Sequence, residues 1–451
     1  MTLKKALKSK FFIFCSFILP GVFFANSIET SILRNSNKEV IDHVWQIIYR
    51  DFLDSNGDFD KSDWLEVRKQ YLSRNYSSDS EAYDAIRAML STLNDPYTRF
   101  LDPDEFNEMR IDTSGELTGI GIQISKDDET NNLIIVSPME GTPAYAAGLK
   151  SEDIIVSIDD ISTFGMDIDE AVSLIRGQTG TEVELGILRD GDVFYKTIVR
   201  ERIEIKSVTS KINVTKGGFL IGYIRIKQFN ANASKEMKEI LLQFERENVS
   251  GYILDLRGNP GGLLDSSIDI SRQFINNGII VSTVTRDGLR DITKANNTAL
   301  TIKPLIVLVN EGSASASEIL SGAIKDNERG LLVGETTFGK GLVQSMRTLL
   351  DGSGLTVTVA KYLTPNGTDI NESGIEPDVQ VSMNINPIEL DEIGTTRDRQ
   401  YRVGEKELIK LIKLENNNFT EVGDDLVGFY PGSTNNYVAV FLMQKSVSYV
   451  L

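Results

Sequence analysis

Apolar residues recur with a helical period in the first hundred residues of the chain. Between positions 40 and 52 they return every three or four residues, as on one face of an amphipathic helix. These positions are Val40, Ile41, Val44, Trp45, Ile48 and Phe52. Ser78 and Glu81 have the spacing of an N-terminal capping box ahead of a second periodic run. The pattern predicts a helical region over residues 28–113.

Short apolar segments punctuated by glycines follow between residues 114 and 202. They predict strands at 133–136, 153–158 and 183–188, and one helix at 167–176. The run Gly-Thr-Pro-Ala-Tyr-Ala-Ala-Gly-Leu at 141–149, followed by the strand at 153–158, resembles a PDZ domain. In that fold a glycine-containing loop holds a peptide C-terminus, and the peptide adds as a strand to a sheet edge. The matching loop is 117–122. The same pattern would also fit another kind of small β domain.

Strands then alternate with helices over residues 203–385. Continuous apolar strands are predicted at 219–226, 252–256 and 304–309, with helices at 234–248, 262–275 and 315–326 between or after them. Further strands are predicted at 331–333, 341–348 and 355–362. This alternation predicts an α/β layered core. In the tail, residues 386–451, the pattern predicts one helix near 404–414 and leaves the rest unplaced.

The N-terminus has the pattern of a secretory signal peptide. Four lysines and no acidic residue fall within residues 1–10, and an apolar run covers residues 11–25. That run is short for a membrane-spanning helix, which needs ~20 residues. We expect cleavage near Ala25-Asn26-Ser27. The sequence therefore predicts that residues 1–27 direct export across an inner membrane to the periplasm or cell envelope. An uncleaved signal that anchors the chain to the membrane is the alternative.

Composition narrows the chemistry. The 451 residues include a single histidine, His43, and a single cysteine, Cys15, which lies in the apolar signal run. These counts exclude zinc sites built from several histidines or cysteines, a disulfide framework, and any serine–histidine pair that does not use His43. The formal net charge of −18 has the wrong sign for attraction to nucleic acid. Any catalysis must therefore use hydroxyl, amine or carboxylate groups.

Three serines lie where a strand is predicted to run into a helix, in Asn-Glu-Gly-Ser-Ala-Ser-Ala-Ser-Glu-Ile at 310–319. The first N–H groups of a helix lack intrahelical partners, so a hydroxyl there lies beside donors that can stabilise an oxyanion. Ser313, Ser315 and Ser317 all qualify as a nucleophile. Each could equally be an ordinary helix cap.

Two further segments could complete such a site. A glycine turn, Asp-Leu-Arg-Gly-Asn-Pro-Gly-Gly at 255–262, could bring backbone N–H groups close to a ligand. Lys340 lies in a glycine-flanked stretch with Gln344 four residues later, and a serine–lysine pair is a known variant of the catalytic triad. To act as a base near neutral pH, the lysine must lie in an apolar pocket that lowers its pKa. A solvated surface lysine is the alternative.

In their order along the chain, these motifs resemble the carboxyl-terminal processing proteases, also called tail-specific proteases. This family of serine peptidases has a PDZ domain ahead of a crotonase-like α/β core. The likeness covers residues 37–413 and rests on motifs at 95–100 (Asp-Pro-Tyr-Thr-Arg-Phe), 119–121, 222–229, 255–262, 312–319, 339–344 and 374–378.

The resemblance implies a role for each matching position. Ser315 would be the nucleophile, Lys340 the general base and Gln344 its support. Gly261 and Ala316 would be the oxyanion donors, and Glu318 and Arg225 would be polar residues near the site. The C-terminus of the substrate would bind the PDZ loop residues Leu117, Gly119, Ile120, Gly121 and Ile122. Arg176, also in the PDZ domain, would couple substrate capture to activation. The substrates implied are proteins or peptides with an apolar free C-terminus. No metal or organic cofactor is implied.

Two other functions stay open from sequence. A crotonase-type enzyme acting on thioesters would require neither the PDZ domain nor the set formed by Ser315, Lys340 and Gln344. A catalytically silent binding protein of the cell envelope would use the PDZ domain as a scaffold. An adaptor protein and a homo-oligomer are also left open.

Overall fold

A computed structural model describes residues 37–55, 57, 59–127, 130–383, 392–418, 427–429 and 439–441. The predicted signal peptide, the predicted domain boundary at 385/386 and half of the predicted tail lie outside these residues. Among the described residues, no helix combines the length and apolar character needed to cross a membrane.

The N-terminal region is helical, as predicted, but it also contains a strand. Its elements are α1 (Asn37–Asp51), α2 (Lys61–Leu72), α3 (Asp79–Ser91), β1 (Arg99–Leu101) and α4 (Pro103–Ser114). Asn94 takes a φ of 52° and Pro96 follows, so the helical path stops after α3. Asp102 and Glu105 form a capping box that starts α4, and Gly115 ends it with a φ of 71°.

The PDZ domain follows directly after α4. Its elements are β2 (Glu116–Gly119), β3 (Ile122–Lys126), β4 (Leu133–Pro138), α5 (Pro143–Ala146), β5 (Ile154–Ile158), β6 (Ile161–Ser162), α6 (Ile168–Ile175), β7 (Glu182–Arg189), β8 (Asp192–Val199) and β9 (Glu201–Glu204). An antiparallel sheet has the order β3-β4-β5-β7-β8, with β6 beside β5, so β3 is an edge strand. A ribbon of β2 and β9 joins it to the rest of the chain.

The remaining elements build the α/β core and the C-terminal segment. They are β10 (Val208–Val214), β11 (Leu220–Ile226), α7 (Ala233–Arg246), β12 (Gly251–Asp255), α8 (Leu264–Phe274), β13 (Ile279–Thr285), β14 (Arg290–Lys294), β15 (Leu305–Val309), α9 (Ala316–Asp326), β16 (Leu331–Gly334), β17 (Leu342–Thr348), β18 (Gly354–Leu363), β19 (Val379–Gln380), α10 (Arg399–Asn418), β20 (Val427–Phe429) and β21 (Ala439–Phe441).

The core is a layered α/β sheet, as predicted. Its order is β10-β11-β12-β15-β16-β19, and all neighbours are parallel except β10 and β11. Helices α7, α8 and α9 pack on one face. Helix α10, which begins five residues before its predicted start, packs on the other face through Tyr401, Leu408 and Ile412. Both faces of the sheet are covered, which explains its continuous apolar strands.

A second antiparallel sheet, of order β1-β18-β13-β14 with β17 beside β18, joins the core to the N-terminal region. The apolar faces of α1–α3 pack against Phe100 in β1 and against Leu355 and Val357 in β18. This packing places the turn at 95–99 beside the strands that follow Lys340.

Candidate active site

Ser315 lies at the turn between β15 and α9, where it is the N-cap of the helix. Its backbone has φ 54° and ψ −112°, a conformation that residues with a Cβ rarely adopt. The partly exposed side chain lines a cavity of about 450 Å³, which Lys340 also lines. A serine held at a helix N-terminus on a cavity wall is placed as a nucleophile requires.

The other two serines of the motif are buried and hydrogen-bonded. The Ser313 hydroxyl donates to the Leu256 carbonyl oxygen at 2.8 Å, and the Ser317 hydroxyl donates to the Asn259 carbonyl oxygen at 3.0 Å. Both side chains are 0% exposed, and neither lines the cavity. They hold the serine turn against the glycine turn at 255–262, so only Ser315 of the three is accessible.

The glycine turn forms the opposite wall beside Ser315. A Cβ atom on Gly261 would lie 2.9 Å from the Ser315 Cβ and 3.0 Å from the Ala316 nitrogen, so only glycine fits there. The Gly261 N–H donates to the Asn259 side-chain oxygen at 2.9 Å. Ala316 is the first residue of α9, so its N–H has no intrahelical partner. Of the two predicted oxyanion donors, Gly261 is therefore already engaged.

Lys340 lies just before β17, with its amine over the Tyr97 ring at 4.5 Å from the ring centre. Burial lowers the Lys340 pKa below its ordinary value, and the positive charge of Arg99 lowers it further, while Asp95 and Glu318 oppose these effects. The amine forms no hydrogen bond with any described residue, Ser315 included. Lys340 is thus a half-buried amine on the same cavity as Ser315, and not a solvated surface charge.

Glu318 and Tyr362 connect the serine turn to the lysine loop. The fully buried Glu318 carboxylate accepts hydrogen bonds from the N–H groups of Ser315 (2.8 Å) and Lys340 (2.9 Å). It also accepts from the Gly339 N–H (2.7 Å) and the Thr337 hydroxyl (2.6 Å). The Tyr362 hydroxyl donates to the Lys340 carbonyl oxygen at 2.6 Å and lies 3.2 Å from that of Ser315. Glu318 therefore does more than complement the helix dipole.

Gln344 and Arg225 do not contact Lys340 directly. Gln344 lines the same cavity, but its amide donates a long hydrogen bond to the Thr358 hydroxyl at 3.5 Å. Thr358 in turn donates to Asp95 at 2.6 Å. Arg225 lies in β11 outside the cavity wall, 3.5 Å from the Arg257 carbonyl oxygen, and its Nε is buried without a partner among the described residues.

The predicted carboxylate-binding loop is shorter than the sequence indicated. Leu117 and Gly119 lie in β2, where they pair with β9, and Ile122 begins β3. Ile120 and Gly121 remain between the two strands, and Gly121 has a φ of 82°. Their carbonyl oxygens accept from the N–H groups of Ala144 (2.8 Å) and Met139 (2.9 Å), while their own N–H groups donate to no described residue.

Arg176 directly follows α6, at the end of the PDZ domain that faces α4. Its guanidinium lies 3.3 Å from the Glu108 carboxylate of α4, and both side chains are partly exposed. Helix α4 also lines the cavity that Ser315 and Lys340 share, through Met109, Asp112 and Thr113. Arg176 is therefore one helix away from the cavity and not in it.

Several residues of the site have no role assigned from sequence, among them Tyr97, Arg99, Asn259 and Tyr362. Tyr97 and Arg99 come from the motif at 95–100, which was recognised only as part of the resemblance. Their place on the wall depends on the pairing of β1 with β18, a contact between residues more than 250 positions apart. His43, in α1, lines neither this cavity nor the second cavity that lies beside it.

Together these groups can support acyl transfer: an accessible hydroxyl at a helix N-terminus, a half-buried amine and an unpaired helix N–H. Comparisons with known proteins point the same way. A model of peptidase family S41 matches residues 220–381, and a PDZ domain model matches residues 134–189.

The most similar relatives found include bacterial processing proteases. The carboxyl-terminal-processing protease of Synechocystis sp. is 41% identical over 389 residues, which are 86% of this chain and 90% of that protein. The carboxy-terminal processing protease CtpA of Bacillus subtilis is 37% identical over 73% of this chain and 70% of its own length.

One solved structure, of a photosystem II D1 C-terminal processing protease, covers 82% of this chain and 97% of its own, with 34% identity and a TM-score of 0.52. The resemblance inferred from the motifs is therefore confirmed. This chain belongs to the carboxyl-terminal-processing proteases of peptidase family S41, and it is a serine-type peptidase with a PDZ domain.

Proposed function

We propose that the chain is an endopeptidase in which Lys340 activates Ser315, and that it cleaves proteins whose C-termini its PDZ domain captures. The observation that carries the proposal is the shared cavity: Ser315 is the accessible serine of its motif, and a lysine with a lowered pKa lines the same wall. A lysine in that environment can hold its amine neutral and act as a general base.

In the proposed reaction, the neutral Lys340 amine takes the proton of the Ser315 hydroxyl as the oxygen attacks a peptide carbonyl carbon. The tetrahedral intermediate collapses when the amine returns the proton to the leaving nitrogen, and water then hydrolyses the acyl-enzyme by the same route. The amine now lies over Tyr97 without a hydrogen bond to Ser315. Substrate binding must therefore bring the two groups together, as catalytic hydrogen bonds often tighten only in the complex.

The oxyanion would form between the serine turn and the glycine turn. The Ala316 N–H points from the helix N-terminus and is the donor we assign first. Gly261 is the second predicted donor, and its N–H would have to turn from Asn259 toward the oxyanion. Gln344 would support Lys340 only after a similar adjustment, because its amide now faces Thr358.

The PDZ domain offers a place for an apolar C-terminus. The N–H groups of Ile120 and Gly121 are free to bind a terminal carboxylate, and β3 is an edge strand to which a peptide could add. Helix α6 packs over β3, and its apolar side chains belong to the PDZ core. We propose that the last residues of a substrate bind in the groove between α6 and β3.

Separate Ser315→Ala and Lys340→Ala variants test the dyad. Each should lower cleavage of an unfolded protein with an apolar C-terminus by at least a thousandfold. Ser210→Ala and Lys361→Ala are matched controls, because Ser210 is exposed on β10 and lines no part of the cavity, and Lys361 pairs with Asp369 at the surface. Wild-type cleavage by either test variant would refute the assignment.

Capture of the C-terminus is tested with one substrate in three forms: a free apolar C-terminus, its amide, and a version extended by two aspartates. The free form should be cleaved at least tenfold faster than the others, since the loop binds a carboxylate and the groove an apolar residue. Equal rates would argue against a role for the PDZ domain in capture.

We also propose that residues 1–27 direct export to the periplasm or cell envelope. The N-terminal sequence of the mature protein and its distribution after cell fractionation test this. An intact N-terminus in the membrane fraction would favour the uncleaved anchor, and an intact N-terminus in the cytoplasm would contradict export. The adaptor protein and the homo-oligomer remain predictions.

A further inference from the structure

A second cavity of about 580 Å³ lies beside the catalytic one, between α3, α4 and β1. The two cavities share Arg99, an exposed residue of β1 that lines both. The second cavity is walled by residues of the N-terminal region. Two of them, Arg99 and Asp95, act on the pKa of Lys340, and the others take no part in the proposed reaction. It is therefore available for a part of the substrate away from the scissile bond.

The charges on this wall leave Arg99 available. Arg87 is paired, with its guanidinium 3.0 Å from Glu105 and 3.1 Å from Asp102. Asp95 accepts hydrogen bonds from the Thr98 and Thr358 hydroxyls and from the Tyr97 N–H. The Arg99 guanidinium forms no ion pair or side-chain hydrogen bond with any described residue. In a chain of net charge −18, an unpaired cation here marks a place for an anion.

Helix α4 sets the direction in which a substrate would cross the two cavities. Its first turn borders the second cavity at Glu105, and its last turns border the catalytic cavity at Met109 and Thr113. After Gly115 the chain enters the PDZ domain. At ~1.5 Å per residue, Glu105 and Thr113 lie ~12 Å apart along the helix, about four residues of an extended peptide.

A peptide with its C-terminus on the PDZ domain would therefore pass Ser315 and continue, toward its own N-terminus, into the second cavity. We propose that Arg99 is a specificity-determining residue that binds an acidic side chain of the substrate, two to four residues on the N-terminal side of the scissile bond. The inference rests on the proposed function, because the PDZ domain and Ser315 fix the direction of the peptide.

Pairs of peptides that differ only by Glu or Gln at one of these three positions test the proposal. The wild type should cleave the Glu peptide with a kcat/KM about three- to tenfold higher at one position or more, and the preference should fall with added salt. Arg99→Gln should remove the preference, and Arg99→Lys should keep part of it. Arg110→Gln is the matched control, because exposed Arg110 on α4 lines neither cavity.

A binding measurement keeps the test independent of turnover. In the Ser315→Ala background, a fluorescent Glu peptide should bind more tightly than its Gln partner, and adding Arg99→Gln should make the two equal. No preference at any of the three positions, or the same preference in Arg99→Gln as in the wild type, would overturn the proposal. These outcomes differ from failure of the proposed function, which would appear as cleavage by the Ser315→Ala variant itself.

Discussion

The amine of Lys340 is held by neighbours that act on its proton in opposite directions. Burial and Arg99 disfavour the charged amine, whereas Asp95 and Glu318 favour it. The Tyr97 ring lies under the nitrogen at 4.5 Å, and a ring face attracts a cation. The lowered pKa of Lys340 therefore depends on a residue of the N-terminal region as well as on the protease core.

Arg99→Gln should move the pH dependence of cleavage. Without this cation Lys340 holds its proton more readily, so its pKa rises and the acid limb of kcat/KM against pH moves to higher pH. The profile should be measured with a peptide that has no acidic residue near the scissile bond. A limb that stays in place, or one that also moves in Arg110→Gln, would contradict this account of Lys340.

At the scale of elements, the site depends on the joining of two turns. The serine turn begins α9 and the lysine loop precedes β17, and Glu318 accepts hydrogen bonds from both backbones. Each carboxylate oxygen accepts two hydrogen bonds. One oxygen accepts from the N–H groups of Ser315 and Lys340, and the other accepts from the Thr337 hydroxyl and the Gly339 N–H. This arrangement fixes the relative position of the two turns without a direct bond between their side chains.

Glu318→Gln should weaken both the fold and the reaction. Whichever way the amide is turned, its NH₂ group faces two donors, so we expect a loss of about 2–3 kcal/mol in the free energy of unfolding. We also expect at least a tenfold lower kcat/KM at a temperature where the variant is folded. Chemical denaturation and peptide cleavage measure the two effects. Glu311→Gln, an exposed acid on the same turn, should match the wild type, and wild-type values for Glu318→Gln would contradict the role of Glu318.

The elements that could be predicted from sequence are those with a strong period or an apolar run. The core strand predicted at 304–309 is β15, and the helix predicted at 315–326 is α9, which starts one residue later. Strand β1 cannot be predicted from sequence, because three residues are too few to show an alternating apolar pattern. Its structure depends on pairing with β18. Likewise, Ser78 caps α3 as predicted, but Glu81 accepts from Ser77 in place of Ser78.

At the scale of the whole molecule, a buried charge network ties the C-terminal segment to the glycine turn. Arg257, in that turn, lies 2.6 Å from both Asp255 and Asp398, and its guanidinium also donates to Gln400 at 3.1 Å. The Tyr223 hydroxyl donates to Asp255 at 2.6 Å. The segment that carries α10 therefore supports one wall of the active site from the far side of the sheet.

This network shows where sequence reasoning stops. Arg257 and Asp398 are separated by 141 positions, and neither has a local pattern that indicates its partner. The turns that carry them and the count of one histidine narrow the candidates for nucleophile and base, but the choice of Ser315 among three serines needs the resemblance. The structure adds a physical reason, since Ser313 and Ser317 are buried and hydrogen-bonded.

Asp398→Asn should lower stability in a pH-dependent way. Burial raises the pKa of Asp398, but the ion pair with Arg257 and the N–H groups of Gly394 and Tyr401 outweigh it and hold the pKa below its ordinary value. The contribution of the carboxylate to stability is therefore present at neutral pH and is lost as it takes a proton in acid. We expect the variant to lose about 3 kcal/mol at pH 7, and the difference from the wild type to shrink below about pH 4. Urea unfolding measures it, with exposed Asp369→Asn as control. A difference independent of pH would count against the ion pair as its cause.

The central claim, that Lys340 makes Ser315 nucleophilic, is tested most directly by the rate at which a serine-directed phosphonate labels the enzyme. Peptide mapping should place the label on Ser315, with a rate that rises with pH through an apparent pKa below that of a free lysine. In Lys340→Ala the rate should fall by at least a hundredfold. A label on another serine, or an unchanged rate in Lys340→Ala, would contradict the account.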